Sequence, residues 1–132
     1  MEQSMKSIRH VFTQRVYSME SITHEEEYVR FNAREYSPLW SLLADWSKSE
    51  DEEEWRQHIP VFTEIISRWS RKGYIAVHVG PEWPAFDGGE LITGPDLERL
   101  LEDHTTWEYE ENPDRVIGLS PGRNFQEIPP AR

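Results

Sequence analysis

A chain of 132 residues with 36% hydrophobic and 12% aromatic content is long enough for one domain with a small core, and too rich in rings for a fully disordered chain. It has no cysteine, which excludes a disulfide scaffold, thiolate metal sites and cysteine nucleophiles. The 14 Lys and Arg against 25 Asp and Glu leave a formal net charge of −11, a field that repels phosphate backbones and attracts basic surfaces.

The charge is uneven. Residues 1–73 carry 10 basic and 13 acidic side chains, and residues 74–132 carry 4 and 12. Only Arg99, Arg115, Arg123 and Arg132 offer a cation after Gly73, whereas duplex DNA demands several to displace its counterions. The acids either keep a small protein in solution or mark a docking face. No run of about 18 apolar residues is present, which predicts no membrane span. The start, MEQSMKSIRHVFTQRVYS, lacks an apolar core and predicts no signal peptide, so a soluble cytoplasmic protein is expected.

Residues 1–23 fit no single period and read as a strand, a helix or an N-terminal arm. His24 to Glu35 predicts a helix, with Thr23 and Glu26 as a capping box and early acids suiting the dipole. Ser37-Pro38 reads as an N-cap followed by proline, opening a helix to Ser47 with Leu39, Trp40, Leu42, Leu43 and Trp46 at helical spacing. Ser49 is a candidate cap for a stretch from about Glu50 to Lys72. Pro60 splits that stretch and leaves a second helix over 60–72 that ends at Gly73. Tyr74 to Val79 alternates as a strand. GPEWPAFDGGELITG breaks regular structure, and a helix follows from Thr93-Gly94-Pro95-Asp96 to Asp103. Trp107 to Glu111 alternates rings and acids like a strand, Val116 to Leu119 reads as another, and 121–132 is an extended tail.

This order predicts an α+β domain over 24–120, a helical core followed by a small antiparallel hairpin. It resembles a winged-helix domain over about residues 37–120, as a pattern of elements. It departs from that family in the 35 or so residues, a helix among them, between the two wing strands. The other reading is a general α+β fold with helices on a small sheet. Gly73, Tyr74, Ile75, Gly80, Pro81, Trp83, Thr93, Gly94, Leu97, Leu100, Leu101, Asp103 and Trp107 also resemble a pattern in small acidic actinobacterial proteins of unknown role. Some of those look like immunity proteins that neutralise toxins encoded beside them, and the resemblance implies such a role here.

Trp40, Trp46, Trp55 and Trp69 sit among aliphatic residues at helical spacing and read as core. Trp83 lies in a Pro/Gly loop beside Phe86, where it either pins the loop or anchors a partner. With Asp87, Glu90, Glu108, Tyr109, Glu110 and Glu111 it makes a candidate surface for a basic protein, the acids raising the on-rate. The bland alternative for the 108–111 row is a solvated edge that blocks aggregation. In a winged helix, Arg68, Arg71 and Lys72 would meet DNA, but the DEEE run and the acidic wing disfavour nucleic acid. Enzyme signals are poor. The spacing in HEEE is wrong for a two-histidine zinc helix, His58, His78 and His104 stand alone, and no P-loop, dinucleotide fingerprint or Gly-x-Ser-x-Gly occurs. The expectation is a non-enzymatic interaction protein with no cofactor, no metal and no catalytic residue, with a homodimer through a Trp-bearing helix face left open.

Overall fold

The computed structural model describes residues 21–111 and 113–131. The reading of residues 1–23 as an arm or first element lies outside them as far as residue 20; of the rest, Ile22 is buried in the core and Thr23 caps the first helix. The molecule is mixed α+β, with helices laid over a three-stranded antiparallel sheet of order β2-β1-β3.

Helix α1 (His24–Arg34) starts at the expected capping box. The Thr23 hydroxyl accepts from the Glu26 amide at 3.1 Å, and a Glu26 carboxylate oxygen accepts from the Thr23 amide at 2.8 Å. Helix α2 (Leu39–Ser47) begins one residue later than a Ser37 cap implies. Ser37 is committed to the sheet instead: its carbonyl accepts from the Leu119 amide at 2.9 Å, and Pro38 bridges Gly118. Asp51, not Ser49, caps α3 (Glu52–Arg56), because its carboxylate reaches the Glu53 amide at 3.0 Å. The split at Pro60 places that residue in the first turn of α4 (Ile59–Arg71), where its missing N–H costs nothing.

Helix α4 ends as its sequence predicts. The Tyr74 amide bonds to the Trp69 carbonyl and the Gly73 amide to the Ser70 carbonyl, a Schellman closure with Gly73 at φ 76°. The chain then enters β1 (Ile75–Gly80). β1 pairs with β3 (Val116–Pro121) along its full length, and with β2 (Glu90–Ile92) on its other edge. β2 corrects the reading of 80–94 as irregular. Three residues between glycines and a threonine are too few for alternation to be visible. Helix α5 (Gly94–Glu102) fills the connection between β2 and β3.

Ile75, Val77, Ile117 and Leu119 project from one face of the sheet into the helices. They meet Val29 and Ala33 of α1, Leu42 and Leu43 of α2, Phe62, Ile66 and Trp69 of α4, and Leu97 and Leu101 of α5. Trp55 and Trp69 are buried as expected, and Trp40 and Trp46 pack partly buried against the same core. The segment after β3 is not a trailing tail. A short turn (Phe125–Glu127) rests Phe125 on the core, the Asn124 side chain donates to the Lys72 carbonyl, and Ile22 bridges Ala131. Among the described residues no helix is long and apolar enough to cross a membrane.

Candidate functional site

The loop 81–89 folds back over the sheet face turned away from the helices. Ala85 is its buried plug. A methyl at Gly89 would lie 2.0 Å from the Ala85 carbonyl oxygen, and one at Gly118 would lie 3.2 Å from the Ala85 methyl, so glycine is required for the close approach at Gly89. Tying down Ala85 forces its neighbours outward. Trp83 is 56% exposed and Phe86 45% exposed. The Trp83 indole N–H donates to the Tyr36 carbonyl at 3.0 Å, which pins the loop, while more than half of the residue stays exposed to solvent. Phe86 packs on the Tyr36 ring with centroids 5.0 Å apart. Tyr36 is held at φ 57°, a left-handed position that turns the chain from α1 into α2. It belongs to this exposed aromatic cluster, and nothing in its sequence context singles it out. Asp87 and Glu90 are exposed on the same loop and on β2.

The second group is built differently from the expected strand. The Trp107 indole N–H donates to the Leu101 carbonyl at 2.9 Å, and its ring is buried in the core. The chain around it is a short 3-10 turn (His104–Trp107) capped by Asp103, so Trp107 and Tyr109 do not share a face. The Asp103 carboxylate accepts from the Thr105 hydroxyl at 2.8 Å and the Thr105 amide at 3.0 Å, and these bonds hold its pKa below the usual carboxylate value. Tyr109 lies half exposed with its ring against the Trp40 ring, centroids 5.0 Å apart. Its amide donates to a Glu52 carboxylate oxygen at 3.1 Å. Arg56 sits between Glu53 at 3.1 Å and Glu108 at 3.6 Å. The start of α3 thus meets the chain at Glu108 and Tyr109, a meeting of residues more than fifty positions apart that no local pattern announces, while Glu110 lines one cleft with Glu108 and Glu111 is exposed beyond it.

The two groups flank one segment. Tyr36 carries Trp83 and Phe86, while Trp40, four residues on, carries Tyr109. Their backbones are separated by at most about 14 Å.

The cations proposed for DNA are placed otherwise. Arg68 donates to Glu64 at 2.9 Å and to Glu26 at 2.8 Å, and the Glu64 hydrogen bond, opposed in part by burial, raises its pKa further. Arg71 lies 3.8 Å from Glu98, and Lys72 sits over the Tyr74 ring at 5.7 Å. Ser67, next to Arg68 on the same helix, is buried. No group of three or more His, Asp or Glu side chains among the described residues is arranged to hold a metal ion.

His78 lies on the outer sheet face, opposite Leu91 and Gly118 in register, with its Nδ1 buried and unpartnered. Burial pushes its pKa below the ordinary 6.5. The folded protein thus binds this proton less readily than the unfolded chain. Stability from this group is complete above the unfolded value and falls as pH drops from there toward the folded pKa. Urea unfolding at pH 7.5 and 5.5 is expected to show a loss that His78→Leu reduces. An equal loss in the variant would place the acid sensitivity elsewhere.

No family model, curated protein or solved structure matches this chain.

Proposed function

We propose that the chain is a non-enzymatic acidic interaction module of the immunity or antitoxin type, which inhibits a basic protein by docking on it. The observation that carries this reading is the placement of an exposed ring cluster and an acidic surface on the two sides of the Tyr36–Trp40 segment. Acids steer a basic partner and raise its on-rate, and exposed tryptophan and tyrosine supply the buried area that anchors it. Trp83 is already held by its bond to Tyr36, so its ring loses little freedom on binding.

Single replacements Trp83→Ala and Phe86→Ala test the docking. Loss of an anchor of this kind costs about 2 kcal/mol or more, roughly thirtyfold in affinity. Retained binding within threefold for both variants would remove this surface from the interface. The competing reading is a winged-helix regulator using Arg68, Arg71 and Lys72. Arg68 already gives its Nε and one terminal nitrogen to Glu64 and Glu26. A gel shift against source genomic fragments at low salt is expected to show no retardation at micromolar protein.

A further inference from the structure

We infer that the cleft beside Trp40 receives one arginine side chain of the basic partner, an assignment that rests on the reading above. The cleft holds about 130 Å³ and is lined by Pro38, Trp40, Thr106, Glu108, Glu110 and Arg115, among others. Cavities of about 150 Å³ take a benzene-sized guest, and a guanidinium with its adjoining methylenes is of that order. Two features select that guest, a fixed ring and available carboxylates. The Trp40 ring is fixed before binding, stacked on Trp55 at 6.4 Å with 10° between planes and edged by Tyr109. A fixed indole beside carboxylates suits a planar, weakly hydrated cation better than a compact ammonium.

The carboxylates are available. Glu110 makes no ion pair with the described residues, and Glu108 touches Arg56 only at 3.6 Å. Thr106, 4% exposed, closes the wall of the cleft beneath them. Arg115 is the resident cation of the cleft and competes with the guest. Two carboxylates against one guanidinium leave the lining acidic, which disfavours an anion.

The test is a titration of the whole 15N-labelled chain with Nα-acetyl-arginine amide, followed by NMR at the Trp40 indole and the Thr106 amide. Nα-acetyl-citrulline amide, the neutral isostere, is the control. Saturable shifts at both positions are expected, with citrulline at least tenfold weaker. Glu110→Gln should weaken the arginine probe about tenfold, and Arg115→Ala should tighten it severalfold. Equal binding of citrulline, no saturable shift at these positions, or weaker binding in Arg115→Ala would overturn the assignment. The two proposals fail separately. Capture of no basic protein overturns the docking function, whereas capture that Glu110→Gln leaves unchanged overturns the cleft.

Discussion

Trp107→Ala is expected to lower the stability of the folded chain by about 3–5 kcal/mol. The ring is buried, and its N–H satisfies the Leu101 carbonyl, so the change opens a cavity and also orphans an acceptor. Against a total of about 5–15 kcal/mol for a typical domain, that is a large share. In urea, with a slope of about 2 kcal/mol per molar, the midpoint should fall by roughly 2 M. Trp107→Phe keeps most of the ring and loses the donor, so it should sit between alanine and the native residue. A midpoint change under about 0.3 M for alanine would mean that the ring is not packed as described. The effect should also reach the proposed docking face, because Glu108 follows Trp107 directly and meets Arg56 of α3.

Reversing Glu108, Glu110 and Glu111 to lysine is expected to slow association with the basic partner by about tenfold to a thousandfold at low salt. Each reversal changes the charge by two, so the three together take the formal net charge from −11 to −5 and remove the acids of this stretch. The dissociation rate should move less, except through Glu108 and Glu110 at the cleft. The difference from the native chain should shrink as salt is raised, since screening shortens the field to about 8–10 Å near physiological ionic strength. Stopped-flow association at two salt concentrations checks this. A rate unchanged at low salt would remove steering from the mechanism.

Much of the fold was legible because its signals are local. Thr23 and Glu26 announce α1 and Gly73 ends α4, each through bonds within about one turn of chain, and Pro60 opens α4 where its missing N–H costs nothing. β1 and β3 show themselves through β-branched residues that line the core. What the sequence hid is what needs the third dimension. Glu90 to Ile92 is a strand only because β1 has a free edge beside it. Trp107 looked like one ring of an alternating strand, and the Leu101 carbonyl and a core vacancy decided otherwise. Ser37 looked like a cap and was taken by β3. In the candidate site, loop context points to Trp83 and Phe86, while nothing local points to Tyr36 and Glu52. Those two join the site through contacts made at long sequence separation, at a turn and a helix start whose residue types are ordinary.

The proposed function requires that the acidic face bind a basic protein. The most direct measurement is affinity capture by the tagged chain from nuclease-treated source lysate at low and high salt, beside the Glu108, Glu110 and Glu111 to lysine variant, with mass spectrometry of what is retained. The predicted result is a basic protein held at low salt by the native chain, weakened at high salt and lost from the variant. Retention of the same proteins by both chains, or of no basic protein by the native chain at either salt, would contradict it.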